Sequence, residues 1–535
     1  MSADTMTGTL VRSESTTIER LGAVLTALAA LTIALSILGL FVIVPVSTTV
    51  AGVAVSRLLG AGLLAVGLGV MAAGVGSQWG PLDADPNRHG SPTDGVLVGL
   101  VWLATAGLVA AHVAGTPLWP LIAVVFGGLA AAGATFSQED IGVPLIGGGF
   151  VAFAGGVLAT GTIGPGWQFA PAGFSVTLTG TVGAPLIAFG GGLLGVWIAA
   201  RVAGGFGARG RQNGAYGLIG ANALGMLSLL LALVGFIVSK GIGPATEGIR
   251  YGLFWQPQFW FEAPIIDEYV IVHGPELWFH WPFVMNGYTQ LSDAINGVLP
   301  AIVGTVWLVI GTVVFAVPLG IGAAVFLTEY AEQGRFTSLI EIATNGLWST
   351  PSIVFGLFGL AFLVPRLGNT PSLLAGQLVL AFMLLPVVVI TTREALLAVP
   401  DEYRDASAAL GVSKWETIRS VVLPAAMPGI ITGVILGVGR IAGETAPILL
   451  VLGSQPFPRD APEIFSLTGG FPFVELNLVQ PASALPYQLY AVISGGVGDD
   501  AAFAWGTAFV LLLVVLSFYA IGIASRAFFR RKLDQ

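Results

Sequence analysis

The sequence predicts an all-α polytopic membrane protein with about twelve transmembrane helices. Three observations carry that reading. The 535 residues are 55% hydrophobic and only 9% charged, against roughly 25% charged in a soluble domain of average make-up. Mean hydropathy is +0.88. Apolar stretches of about 18 to 25 residues, enough to cross about 30 Å of hydrocarbon, recur along the whole chain.

Six such stretches precede residue 210, near 21–44, 54–76, 96–114, 117–136, 143–163 and 180–203. The links between them are short, except for the polar loop from Ser77 to Gly95, rich in Gly, Pro, Asp and Asn. The first stretch follows a Ser/Thr-rich segment, Met1 to Arg20, and is longer than a signal-peptide core, so a retained helix is expected. A second six lie near 215–239, 298–328, 339–364, 372–392, 428–452 and 502–525, interrupted by two long segments, 240–297 and 453–501. The expected organisation is a membrane block over 1–210 and a second domain over 211–535. The 75 glycines fit this setting, because small residues let membrane helices approach closely.

Orientation follows from the basic residues in the links of the second set. Arg201, Arg209, Arg211, Arg335, Arg393, Arg404, Lys414, Arg419, Arg526, Arg530, Arg531 and Lys532 fall on one side, and Lys240, Arg250, Arg366 and Arg459 on the other. The positive-inside rule makes the first side cytoplasmic, with both termini on it and both long segments facing outward. The outward segment carries Trp255, Trp260, Phe261, Trp278, Phe279 and Trp281. Such residues anchor helices at the membrane interface, or form a rim on which an external partner docks.

Several functions are excluded. A net charge of −8 with scattered arginines is not the footprint of a nucleic-acid-binding domain. There is no cysteine and only four His, so no metal site is expected, and His112 reads as a packed residue inside an apolar run. None of Lys240, Lys414 and Lys532 lies in a Gly-Lys-Ser/Thr context, so the chain should neither hydrolyse ATP nor hold a cofactor. Residues 1–210 offer no charged intramembrane residue and no evident transport route of their own.

One stretch of the second domain, 399–428, is too polar to enter lipid. Pro400 can start a helix, Gly411 sits where one can end, and a second short helix from Ser413 is expected to stop near Pro424. Two short helices joined at a glycine make a knob able to receive a push from a soluble motor. An ordinary amphipathic loop fits equally well on physical grounds.

The residues resemble the EAA loop of ABC importer permeases: Asp405-Ala406-Ser407, Gly411, Val421, Leu423 and Pro424 stand at that pattern's spacings. Gly439-Arg440-Ile441-Ala442-Gly443-Glu444-Thr445-Ala446-Pro447 is similar to the signature of phosphate-specific permeases of the PstA type. Thr350-Pro351-Ser352 with the residues that follow it, and Gln480 to Pro486, also resemble that family, so the resemblance spans 214–535.

The resemblance implies a type I importer permease fold for the C-terminal six helices, preceded by an accessory membrane block. It implies a plasma-membrane subunit of a phosphate importer, with Asp405 to Pro424 docking the ATPase. The implied partners are a second permease of the PstC type, an ATPase homodimer of the PstB type that uses the ATP, and an extracellular phosphate-binding protein of the PstS type. Arg440 and Glu444, at i and i+4 on one helix face, are the charged pair that the apolar pattern places within the membrane. Arg440 would meet phosphate oxygens through its planar fork, Glu444 would pair with Arg440 and accept the proton of monohydrogen phosphate, and Thr445 would add a hydroxyl. The alternatives are a permease for sulfate, molybdate or tungstate, the other permease subunit, a secondary transporter, or a membrane phosphate sensor.

Overall fold

The computed structural model describes residues 16–533 apart from 80–83, 85, 171–174, 176, 264–267, 289–295, 333, 454, 468–473 and 496–500. Met1 to Ser15 of the expected N-terminal segment, and parts of both long segments, lie outside the described residues. By internal contacts the chain divides into two units, Met1–Phe236 and Ile237–Gln535. The division falls inside the seventh apolar helix, about one helix later than the boundary at residue 210 expected from the sequence.

The first unit contains α1 (Thr17–Leu40), α2 (Val55–Gln78), α3 (Pro92–Val113), α4 (Trp119–Phe136), α5 (Glu139–Ala159), α6 (Gly180–Ala203) and most of α7 (Gly207–Thr246). Thr16 and Ser91 start α1 and α3 with capping boxes completed by Glu19 and Asp94, which satisfy first-turn amides that have no partner within the helix. The helices pack as antiparallel pairs, α1 with α6, α2 with α5 and α3 with α4. Along α2, Gly60, Gly67 and Gly74 recur every seventh residue and face α5, and a Cβ on Gly67 would lie 2.3 Å from the Ala152 amide nitrogen. Backbone meets backbone there, so the seam admits no larger residue. His112 packs edge-on against Phe169, as expected of a packed residue.

The sequence reading did not foresee one feature of this unit, a cluster of buried charges at the helix ends. Arg201, at the last turn of α6, is 1% exposed and lies 2.6 Å from both Asp94 and Glu139, themselves 4% and 0% exposed. Arg211 reaches Glu139 at 3.7 Å, and Asn87 donates to the same carboxylate from its backbone and its side-chain amide. The block therefore does carry buried charge. Each member sits at a helix terminus, where sequence reads it as part of a polar link, and packing then folds those termini together.

The second unit begins with the end of α7 and contains α8 (Leu299–Tyr330), α9 (Arg335–Ser349), α10 (Ser352–Arg366), α11 (Leu373–Leu397), α12 (Asp401–Ala409), α13 (Lys414–Ala442), α14 (Ala446–Val451), α15 (Leu485–Gly495) and α16 (Ala501–Leu533). Helices α9 and α10 are bent by 102° at Thr350-Pro351, where the sequence suggested one straight span. The described residues hold eleven helices fit to cross a membrane, or twelve when the bent pair counts as one. The chain is thus a multi-pass membrane protein, mostly helical as expected.

It also contains a long antiparallel ribbon that the all-α reading did not foresee, β1 (Arg250–Ala263) paired with β2 (Glu268–His280). Tyr251, Leu253, Trp255 and Phe279 are exposed on it. The side chains of Trp260 and Trp278 lie outside the described residues.

Candidate functional site

Two parts of the second unit hold the residues singled out by sequence. The first is the knob. Helix α12 ends at Ala409, and Gly411 follows with φ of +72°, its amide donating to Ala408 and that of Val412 to Ser407. Only a residue that tolerates the left-handed region turns the chain there without strain. Ser413 then caps α13 by accepting from the Glu416 amide.

Asp405, Ala406 and Gly411 are exposed, whereas Ser407 is buried and donates to the Tyr403 carbonyl. Val421, Leu423 and Pro424 are half-buried at the base. Leu423 packs on a cluster that joins α8, α11 and α13 through Val325, Leu396 and Ile418. Sequence reasoning missed the apolar tip: Tyr403, Leu410, Val412 and Trp415 are exposed, Leu410 at 83%. These large apolar side chains stand out from an otherwise polar knob.

The expected stop at Pro424 does not occur. Helix α13 runs on from Lys414 to Ala442 through a π-helical turn over Ile418–Val422. Pro424 falls in the first turn of the α-helical stretch after it, where a missing amide hydrogen removes little.

Arg404, also missed, fastens the knob. Its Nη2 lies 2.8 Å from Glu329 Oε1, and its guanidinium donates to the carbonyls of Val399 and Leu396 at the end of α11. Lys414 donates to the Glu329 carbonyl and stands over the Tyr330 ring. One guanidinium thus ties α12 to the ends of both α8 and α11.

The second part is the break in α13. The helix ends at Ala442, Gly443 and Glu444 form a turn, and α14 starts after Thr445 with Pro447 in its first turn. Arg440 and Glu444 are therefore not on one continuous helix face, which corrects the i, i+4 reading. Gly443 ahead of Pro447 is the signal for a break that sequence reasoning left unused.

Arg440 Nε stands 3.9 Å from Glu444 Oε1; the arginine side chain is 42% exposed and the glutamate 17%. Arg440 is turned outward, while Glu444 lines a small cavity with Thr305, Leu308, Ile448 and Ala484. Thr445 is half-buried beside it. Helix α14 packs directly on α10, since a Cβ on Gly356 would lie 2.7 Å from Pro447 Cα, so the segments that follow the two breaks support each other. Non-helical backbone at membrane depth is tolerated only where protein covers it or it lines a cavity.

The segment Gln480 to Pro486 closes the far side of this region. Ser483 Oγ donates to the Pro456 carbonyl, and the Leu485 amide donates to Thr305 Oγ1.

Residues 316–535 match the family model described as the binding-protein-dependent transport system inner membrane component. The phosphate transport system permease protein PstA of Haemophilus influenzae is 35% identical over 294 residues, covering 54% of this chain and 93% of that one. The chain belongs to the PstA-type ABC transporter permeases. A probable ABC transporter permease protein, YqgI of Bacillus subtilis, is 36% identical over 250 residues, 44% of this chain and 83% of that one. The phosphate transport system permease protein PstA 1 of Mycobacterium tuberculosis is 34% identical over 263 residues, 46% and 81% respectively. As a PstA-type permease the chain is a non-catalytic membrane subunit, and ATP hydrolysis resides on a separate subunit. The family works with an ATPase, a second permease and a binding protein. The matches leave close to half of this chain without a counterpart.

Proposed function

We propose that this chain is one permease subunit of an ATP-driven phosphate importer, forming half of the pathway across the plasma membrane. The observation that carries the reading is its 35% identity to the Haemophilus influenzae PstA protein across 93% of that chain. The knob from Asp405 to Pro424 is the docking surface for the ATPase. Its exposed Leu410 and Trp415 enter a groove on the motor, and the Arg404 to Glu329 contact passes the displacement to α8.

Arg440, Glu444 and Thr445 lie on the substrate route. A half-exposed guanidinium at a helix break offers a planar fork of donors to a tetrahedral oxyanion. Glu444, screened from solvent beside it, accepts the proton that monohydrogen phosphate carries and repels sulfate, which carries none.

The partners on this reading are a PstC-type permease, a PstB-type ATPase homodimer and an extracellular PstS-type phosphate-binding protein. The ATPase holds the ATP, and this chain binds no cofactor. Both termini and the knob face the cytoplasm. Residues 1–210 are an accessory block outside the conduction path.

The test is uptake of labelled phosphate by the reconstituted complex, with ATPase turnover recorded alongside. Phosphate uptake that requires ATP and resists competition by sulfate, molybdate and tungstate supports the proposal. ATP-driven uptake of one of those anions, unaffected by phosphate, replaces the substrate; uptake without ATP overturns the importer reading.

A further inference from the structure

Helix α11 runs from the break region to the knob. Leu380, near its start, lines the small cavity that holds Glu444. Arg393 lies about 20 Å further along the same helix, at 1.5 Å per residue. A second cavity, of 260 Å³, lies there at the knob end of the unit. Leu327 of α8, Glu341 and Asn345 of α9, and Arg393, Glu394 and Leu397 of α11 are among the residues that line it.

An ion pair joins two of these helices, with Arg393 Nη1 donating to Glu341 Oε1. It is lightly held. The two side chains are 28% and 40% exposed. Arg393 Nε is buried without an acceptor, and the bond to Glu341 is the one polar contact that the guanidinium makes among the described residues. A pair with this much access to water contributes little to stability and parts readily.

Arg404 is held differently. Its guanidinium meets the Glu329 carboxylate and the carbonyls of Leu396 and Val399, and so binds the knob to the ends of α8 and α11. Helix α9 stands outside that fastening. It packs chiefly on α11, and Glu341 to Arg393 is the polar side-chain link between the two among the described residues. A displacement of the knob therefore reaches Arg393 through α11, while Glu341 on α9 is not carried with it.

We propose that Glu341 and Arg393 form the inner gate of the permease. Paired, they hold α9 against α11 and close the knob end of the route that passes Glu444. Displacement of the knob by the ATPase parts them and opens that end. The inference rests on the importer reading and adds to it the residues that position the inner barrier. A gate opens in every cycle, which suits a half-exposed pair with one bond. The buried, multiply bonded contact of Arg404 suits transmission instead.

The chain contains no cysteine, so a cross-link can be placed at will. Glu341→Cys and Arg393→Cys are combined, and the complex is assembled with its ATPase in vesicles. Uptake of labelled phosphate is followed before a short bifunctional thiol reagent is added, after it, and after reductive cleavage of the link. Linking should lower uptake to the level seen without ATP, and cleavage should restore it. The reagent should cause no further loss in either single-cysteine variant. Unchanged uptake in the linked double variant overturns the inference.

Glu341→Gln, which keeps the shape and removes the charge, gives a second reading without a cross-link. Phosphate carried per ATP hydrolysed should fall several-fold, and Glu341→Arg with Arg393→Glu should recover much of it. A ratio in Glu341→Gln equal to that of the unaltered complex also counts against the gate. Absence of ATP-driven phosphate uptake in the unaltered complex is a separate result, and it strikes the importer reading itself.

Discussion

Arg404 and Glu329, 75 residues apart in sequence, meet at 2.8 Å between the knob and the end of α8, with the Glu329 side chain only 8% exposed. Glu329→Gln keeps the shape and removes the charge, so Arg404 retains its carbonyl contacts but loses its only buried anion. Contacts of this kind are worth about 1.5 to 3 kcal/mol. The expected outcome is an assembled complex in which ATP is hydrolysed while uptake falls several-fold. Charge exchange, Arg404→Glu with Glu329→Arg, should restore part of the coupling; no recovery and no loss in the single variants would leave the contact without a role in transmission.

Gly411 turns the knob at φ +72°, with open space around it, so strain rather than collision governs its replacement. Gly411→Val should cost about 1 to 3 kcal/mol locally, and Gly411→Ala less. Hydrogen exchange across 401–413 should rise more in Gly411→Val than in Gly411→Ala, with uptake falling in parallel.

Arg201 neutralises two carboxylates that water does not reach. Arg201→Met should destabilise the first unit by about 3 to 5 kcal/mol, because it leaves Asp94 buried without a cation and Glu139 with only the longer Arg211 contact. Thermal unfolding followed by tryptophan fluorescence should show a large downward shift. Arg209→Met is the control: Arg209 is 72% exposed, and its contact with Glu19 should contribute little.

Gly67 of α2 touches the α5 backbone, so Gly67→Val cannot be accommodated by a side-chain rotation. The two helices must separate, and the variant should lose the protease resistance of the first unit. Gly128→Val, on α4 with open space around the position, should keep it.

Much of this architecture is legible in the sequence, because the length of an apolar run reports directly on the solvent around it. The runs near 54–76, 117–136 and 180–203 correspond to α2, α4 and α6 within a few residues. The turn at Gly411 was legible for a similar reason, since one residue type tolerates that backbone. What escaped depends on packing between distant segments. Asp94, Glu139 and Arg201 stand 107 and 62 residues apart in their two pairings, and each alone resembles a polar helix end. Pro424 misled because the π-helical turn before it relieves the constraint that would otherwise end a helix. The ribbon escaped because its aromatic residues read as interface anchors, and along β1 they stand at 251, 254, 255, 259, 260 and 261, without the period-two alternation that marks a strand.

The central claim is that Arg440, at the break of α13, carries phosphate through the pathway of an ATP-driven importer. The measurement that tests it most directly is ATP-dependent uptake of labelled phosphate by vesicles containing the assembled complex, with Arg440→Gln beside the unaltered chain and ATPase turnover recorded in both. The account predicts uptake by the unaltered complex, and none by an Arg440→Gln complex that still assembles with its ATPase. Uptake at the unaltered rate by the assembled Arg440→Gln complex would contradict it.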